Sequence, residues 1–161
     1  MNVTSTARNV RMSPKKVREV TRQIQGMPIA DAQAVLSAIP RKSARLVAKT
    51  LKTAIADAEH IRSEWSESDV QNRVAEIKQD IENHTKEDGK LHRKYRHLPG
   101  KLARLESYLD SEHKLAEDKL NIREAIVGAA TPLRRWRTRA RGGGSPIIKR
   151  TSHIRITLSD E

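Results

Sequence analysis

Basic side chains crowd into one acid-free part of the chain. From Ala125 to Ser159 there is no Asp or Glu, but there are eight Lys or Arg, five of them in the string RRWRTRAR. Such a segment repels itself and cannot bury its charge, so it predicts binding to a polyanion. Arginine forms paired hydrogen bonds with phosphate, and the glycines that follow would let a backbone approach closely. The candidate contacts are Arg134, Arg135, Trp136, Arg137, Arg139, Arg141, Gly142, Lys149, Arg150, Thr151 and His153.

A second group of cations lies near the start of the chain. Only Glu19 opposes the positive charge there, so phosphate contact is favoured over a merely solvated helix face. The Ser13-Pro14 pair is typical of a helix start, where backbone amides form a weak anion site. The group consists of Arg8, Arg11, Ser13, Lys15, Lys16, Arg18 and Arg22.

Other chemistries find little support in the residue types. Without cysteine, the chain has no disulfides, thiolate metal sites or thiol nucleophiles. The sequence contains no phosphate loop, nucleophile elbow or HExxH pattern, so we expect no enzyme, no small-molecule substrate and no cofactor. Because His84, His92, His97 and His113 lack the tight spacing of a zinc site, we expect no metal. The chain also lacks a signal-peptide pattern and the roughly 20 apolar residues of a membrane span, so we expect a cytoplasmic protein without membrane contact.

Strands and helices must position these basic groups. Apolar spacing with Pro and Gly boundaries predicts one strand and then three helices, over residues 2 to 11, 14 to 25, 28 to 39 and 41 to 60. Alternating apolar and polar residues predict two strands near 119 to 133 and 146 to 158, which form a β-hairpin with a basic tip at about 134 to 144. At about 3.3 Å per residue each arm reaches roughly 40–50 Å, so most of the hairpin is expected to project from the body.

Residues 61 to 114 differ from their surroundings in charge and pattern. They contain eleven Lys or Arg and eleven Asp or Glu, so the remaining residues carry the whole net charge of +12. Two apolar seams have matching spacing and predict an antiparallel αα-hairpin. The seams are Val70, Val74, Ile77 and Ile81 in the first helix, and Leu98, Leu102, Leu105 and Leu109 in the second.

Three strings in the chain resemble one known family. They are ARNVRMSPKKVREV near the start, VAKTLKTAIADAEH in the third helix and RARGGGSPIIKRTSHIRITLSDE at the end. The resemblance is to the bacterial large-subunit ribosomal protein number twenty-two, and it covers residues 1 to 60 and about 115 to 161. The last string, in its place after a strand, is the most specific of the three.

The resemblance implies a fold and a function. The expected fold is α+β, with three helices on a three-stranded antiparallel sheet and a long protruding β-hairpin. The expected function is that of a non-enzymatic structural constituent of the ribosome, which binds large-subunit ribosomal RNA, assists assembly and lines the nascent-peptide exit tunnel. The implied partners are that RNA, neighbouring ribosomal proteins and the nascent peptide. The family's hairpin tip corresponds to residues 134 to 144, and the basic start of its first helix to Ser13, Lys15, Lys16 and Arg18.

The chain departs from the family pattern in two places. Residues 61 to 114 replace a connection of only about ten residues, and we interpret them as an inserted unit beside a body formed by 1 to 60 and 115 to 161. Trp136 stands where an aliphatic residue is more usual. It could stack on a base or lie in a hydrophobic patch, and RNA contact is the favoured interpretation.

Two questions stay open from the sequence. An architectural DNA-binding protein could also use a basic β-arm, although no apolar dimer surface is evident outside the seams of the insertion. The insertion is either a spacer that faces solvent or a hairpin whose far end touches ribosomal RNA or a neighbouring protein. The possible contacts at that end are Arg93, Lys94, Tyr95 and Arg96.

Overall fold

The computed structural model describes residues 1–85, 91–111 and 113–160. It confirms an α+β fold with a three-stranded antiparallel sheet. The strands are β1 (Asn2–Val10), β2 (Asn121–Thr138) and β3 (Gly144–Ser159). The α-helices are α1 (Pro14–Ile24), α2 (Ile29–Ala38), α3 (Lys42–Glu64), α4 (Glu67–Asn83) and α5 (Leu98–Asp110). Within the described ranges, no helix combines the length and apolar character needed to cross a bilayer.

The last strand of the chain lies in the middle of the sheet. The strand order is β1-β3-β2, and both pairings are antiparallel. Ile154, Ile156 and Leu158 of β3 alternate onto one side, and all three are fully buried. In register beside them, β1 and β2 contribute Val3, Ala7, Ile122, Ala125 and Val127. This side of the sheet therefore faces the core. We call the opposite side the open side.

Apolar stripes on α1 and α3 cover the side of the sheet that faces the core. Val17, Val20 and Ile24 are buried along α1, as their spacing predicts. Ala44, Ala54 and other small residues are buried along α3, which lets this helix lie close against β1 and β3. The turn after α1 needs Gly26, whose φ of +81° is strained for other residues. The amide of Gly26 donates to the Ile122 carbonyl at 2.7 Å and so fixes the end of α1 to β2.

Three predicted boundaries are wrong. Helix α3 continues past residue 60 to Glu64, because Ile61 extends the apolar seam and packs half-buried against the core. Strand β2 continues past residue 133 to Thr138, and β3 begins at Gly144 instead of 146. Backbone pairing, not side-chain burial, decides where these strands end, so the exposed arginines gave no signal that the ladder continues through them.

The predicted αα-hairpin is confirmed within the described residues. Helices α4 and α5 contact each other, and Val74 and Ile77 of α4 and Leu105 of α5 are all buried. The helices are antiparallel, since the ring of Trp65 just before α4 lies 5.1 Å from that of Tyr108 near the end of α5. Residues 86–90 of the predicted connection lie outside the described residues.

The Asp160 carboxylate bonds to Met1 and to Leu115 at the base of the sheet. The base is the end away from the β2–β3 turn. Asp160 accepts a hydrogen bond from the Met1 amine in a buried ion pair, and another from the Leu115 amide at 3.2 Å. Burial alone would raise the pKa of Asp160. The hydrogen bonds and the charge of the amine outweigh burial and hold this pKa below its ordinary 3.8.

Asp160→Asn should destabilise the fold by about 3 kcal/mol, because it leaves a buried ammonium without its counter-charge. The Asp160 pKa is lowered in the folded state, so its stabilisation is complete above 3.8 and is lost as pH falls through the folded value. Denaturant titrations at pH 7 and pH 3 should show a smaller difference between variant and parent at pH 3, because the parent loses this stabilisation once the pH is below 3.8. Asp57→Asn, at an exposed position on α3, is the matched control. An equal difference at both pH values would contradict the assignment.

Candidate nucleic-acid interface

Half of the β-hairpin extends beyond the rest of the sheet. The last pair between β1 and β3 is Val10 with Ser152, so earlier residues of β3 pair with β2 alone. We call residues 130–151 the ribbon; it spans about 30 Å if each of its nine β2 residues adds about 3.3 Å. The remaining half of β2 lies within the three-stranded sheet, which corrects the expectation that most of the hairpin projects.

Most of the predicted tip is part of the ladder. Arg134, Arg135 and Arg137 pair in register with Ile148, Ile147 and Ser145. Only Arg139 and Arg141 of the five arginines lie in the turn that joins the strands. The ladder therefore holds three of these like charges at fixed positions along one strand.

The ribbon has two sides of different chemistry. Opposed residues of an antiparallel ladder point to the same side, so the register assigns each residue to a side. On the tryptophan side, the tryptophan is 75% exposed and Ile148 is 54% exposed. That side carries Arg134, Trp136, Thr138, Gly144, Pro146 and Ile148. The arginine side carries Leu133, Arg135, Arg137, Ser145, Ile147 and Lys149.

A tight turn closes the ribbon. The Arg139 amide donates to the Gly143 carbonyl at 2.8 Å, and the Arg139 guanidinium donates to the Ser145 hydroxyl at 2.9 Å. Arg141 and Gly142 follow one another in the left-handed region, with φ of +57° and +67°. A Cβ added at Gly142 would meet nothing within 4 Å, so glycine serves the backbone conformation there.

The second basic group lies at the root of the ribbon. Helix α1 runs antiparallel to β2, because Gly26 after its end bonds to Ile122 while the Arg18 guanidinium donates to the Val127 carbonyl at 3.3 Å. The first turn of α1, with Lys15 and Lys16, therefore faces the end of β2 that enters the ribbon. Two basic segments more than one hundred residues apart in sequence thus lie toward the same end of the sheet.

The remaining predicted residues of this group are placed as follows. Arg8 is exposed on β1, and Arg11 follows the Val10 pairing at the ribbon root. Ser13 precedes α1, but its side chain makes no capping hydrogen bond. Arg22 lies in the last turn of α1, away from the ribbon.

Thr151 and His153 stabilise irregular points of the ladder. Thr151 is buried, and its hydroxyl donates to the Thr131 carbonyl at 2.6 Å, where the pairing between β2 and β3 shifts register. The Asn9 amide donates to His153 Nδ1 at 3.2 Å beside the shift between β1 and β3. The structure therefore gives Thr151 no surface for a partner, contrary to its place among the predicted contacts. Nothing in the sequence signalled either hydrogen bond.

The interface cations lack internal counter-charges. Among the described residues, no ion pair includes an arginine of the ribbon, Lys15 or Lys16. Glu19, the one acid near the α1 cations, pairs instead with Arg41 at 2.5 Å. Arg155 was missed as a candidate, yet it is exposed on the open side of the sheet, in register with Thr6 and Ile126. Arg155 lies two residues after His153 and six after Lys149. Because side chains alternate along a strand, this even spacing places all three on one side and could have identified Arg155 as a candidate.

The predicted contacts in the insertion belong to a different surface. Arg93, Lys94, Tyr95 and Arg96 lie at the end of the αα-hairpin remote from Trp65. In the described part of the chain, no group of three or more His, Asp or Glu side chains is arranged to hold a metal ion.

Comparison with known proteins identifies the family. The family model described as ribosomal protein L22p/L17e matches residues 5–87 and 91–159. The chain belongs to this family. The large ribosomal subunit protein uL22 of Opitutus terrae is 32% identical over 160 residues, which cover 99% of this chain and 96% of that protein. The protein of the same name from Lactobacillus gasseri is 30% identical over 155 residues, with 96% and 89% covered.

Membership of this family establishes the general role of the chain. It is a non-enzymatic structural protein of the large ribosomal subunit and takes part in translation. The basic residues described above thus belong to a protein of a ribonucleoprotein particle.

Thr151→Val should loosen the ribbon without unfolding the body, because it removes the hydroxyl that satisfies the Thr131 carbonyl at the register shift. We expect a loss of about 1 kcal/mol, seen as several-fold faster hydrogen exchange of the amides of residues 133–137. Thr138→Val, at an exposed position at the end of β2, is the control and should leave exchange unchanged. Equal exchange in the two variants would show that this hydrogen bond does not order the ribbon.

Proposed function

We propose that the chain binds large-subunit ribosomal RNA through the ribbon and its root, and that this binding assists assembly of the subunit. The observation that carries the proposal is that the ribbon and its root both carry cations without internal counter-charges among the described residues. Phosphates supply the missing charge, and arginine matches their geometry with paired hydrogen bonds. Neutralised RNA segments can then pack together around the protein.

The exposure of the ribbon supports an RNA environment on more than one side. A two-stranded ladder is marginally stable alone in water, and this one carries exposed arginines on both of its sides. Surrounding RNA would supply both counter-charge and a surface for Trp136, whose ring is available for stacking on a base. We therefore expect RNA binding to stabilise a ribbon whose ladder is already formed.

We further propose that the ribbon lines the nascent-peptide exit tunnel. A ribbon is one backbone layer thick, so part of one side can face an open channel while the rest of the ribbon lies against RNA. The difference between the arginine side and the tryptophan side supports such an arrangement. The nascent peptide would then be a transient partner of the same ribbon.

The division into a body and an inserted unit at 61 to 114 is also a proposal. Its support is that both ends of the unit meet: Lys114 forms an ion pair with Glu67, and the Tyr108 hydroxyl donates to the Trp65 carbonyl at 3.1 Å. Since α3 continues to Glu64, we place the start of the unit at Trp65. A body closed by a short linker in its place should keep its RNA binding.

The double variant Arg135→Ala with Arg137→Ala should flatten the salt dependence of RNA binding. Each phosphate contact contributes roughly 0.7 to 0.9 to the slope of log affinity against log salt, so loss of two contacts changes the slope by about 1.5. Filter binding to purified large-subunit RNA over a range of salt concentrations measures this slope.

Arg73→Ala with Lys78→Ala is the matched control, because these cations already pair with Glu76 and Glu106. The control should keep the parental slope. The proposal fails if the two double variants behave alike. Stronger binding of the parent to duplex DNA than to the RNA at equal salt would instead favour the architectural DNA-binding alternative.

A further inference from the structure

The αα-hairpin carries its unpaired charge at one end. From Leu91 to Leu105 there are five Lys or Arg and no Asp or Glu. Arg93, Lys94, Arg96 and Lys101 are exposed there. We call residues 91–101 the hairpin end. The neighbouring residues 86–90 add two lysines and two acids, so they do not change the net charge.

Cations elsewhere in the hairpin have partners within it. Arg73 pairs with Glu76 at 2.5 Å, and Lys78 of α4 pairs with Glu106 of α5 at 2.9 Å. The Arg104 guanidinium lies 5.8 Å from the ring centroid of Trp65. Among the described residues, by contrast, no ion pair includes a cation of the hairpin end. The uncompensated positive charge of the unit is thus concentrated at its end.

Local contacts hold the hairpin end in a defined shape. The ring of Tyr95 lies 3.8 Å from that of His84 at the end of α4. The His92 amide donates to the His84 carbonyl at 3.2 Å, and the Tyr95 amide donates to the His92 carbonyl at 2.9 Å. Arg93 and Arg96 are therefore presented from a folded turn, which lowers the entropic cost of binding an anion.

The surface of the hairpin end fits RNA better than protein. Protein interfaces depend on buried aromatic or apolar anchors at their centre. The large exposed hydrophobic residues of the described chain are Ile126, Trp136 and Ile148, all in the β2–β3 hairpin. The hairpin end offers cations around a half-buried tyrosine, which is the composition of a phosphate-binding surface.

We propose that the hairpin end binds the phosphate backbone of a second segment of ribosomal RNA, distinct from the RNA around the ribbon. The αα-hairpin joins the body near Leu115 and Asp160, at the base of β3, whereas the ribbon leaves β3 at Ser152. The αα-hairpin and the ribbon are thus attached at opposite ends of the central strand, and the protein would link two RNA segments. This inference rests on the proposed function in taking ribosomal RNA as the partner.

Site-directed crosslinking tests the proposal, because a chain without cysteine accepts one label at one introduced thiol. Gly100→Cys introduces a thiol at the hairpin end, to which a benzophenone is attached, and it keeps every cation there. A Cβ at Gly100 meets nothing within 4 Å, so the substitution is tolerated sterically. Thr138→Cys labels the ribbon, and Gln71→Cys labels an exposed position near the start of α4. Each full-length labelled chain is reconstituted into large subunits and irradiated, and the crosslinked nucleotides are mapped by primer extension.

The expected result is that the Gly100 and Thr138 labels reach different RNA segments, while the Gln71 label reaches little RNA. A Gly100 label that joins a protein, or that joins no more RNA than the Gln71 label, would overturn the proposal. If the Thr138 label still reaches RNA in that case, the proposed function of the ribbon stands alone. Failure of both labels to reach RNA would overturn both proposals.

Charge-matched variants give a second measurement. Arg93→Ala with Arg96→Ala removes two unpaired cations, and Arg73→Ala with Lys78→Ala removes two paired ones. In binding of the full chain to purified large-subunit RNA, the first pair should flatten the slope of log affinity against log salt by about 1.5. The second pair should leave the slope unchanged. Equal slopes for the two variants would contradict phosphate binding at the hairpin end.

Discussion

The backbone ladder between β2 and β3 opposes the mutual repulsion of five neighbouring arginines. Side chains in this part of the ribbon are exposed, so burial contributes little to its order. The register instead fixes which arginine lies on which side, and the Thr151 hydroxyl supports the ladder where its register shifts. Because the ladder positions the charges before any anion arrives, binding does not have to organise them.

The central position of β3 relates the two basic segments to each other. Its C-terminal half pairs with β1 and β2 and carries the buried Ile154, Ile156 and Leu158. Its N-terminal half forms the ribbon. The core therefore fixes the direction of the ribbon, and α1 on that core brings its first turn to the ribbon root. Packing in the body and charge on the ribbon are thus connected through a single strand.

Regular periodicity made much of the fold predictable from the sequence. The spacing of Val17, Val20 and Ile24 predicted α1 and its buried side, and the matching seams predicted α4 and α5. The ribbon was harder, because a strand exposed on both sides need not alternate apolar with polar residues. Contacts between distant residues, such as Asp160 with Leu115 or Asn9 with His153, depend on the complete fold and leave no local pattern. The basic residues could therefore be proposed from the sequence, but the fold that brings α1 toward the ribbon root could not.

The order of the strands bears on how the chain acquires its structure during synthesis. Strand β1 is synthesised first and β2 much later, and the two strands do not pair with each other. Each pairs only with β3, which is synthesised last, so that Asn2 comes to lie opposite Ser159. Such distant pairings make the sheet slow to close, whereas the αα-hairpin needs only local contacts. The αα-hairpin can therefore fold while the sheet still lacks its middle strand, and the ribbon forms in the same event that completes the core.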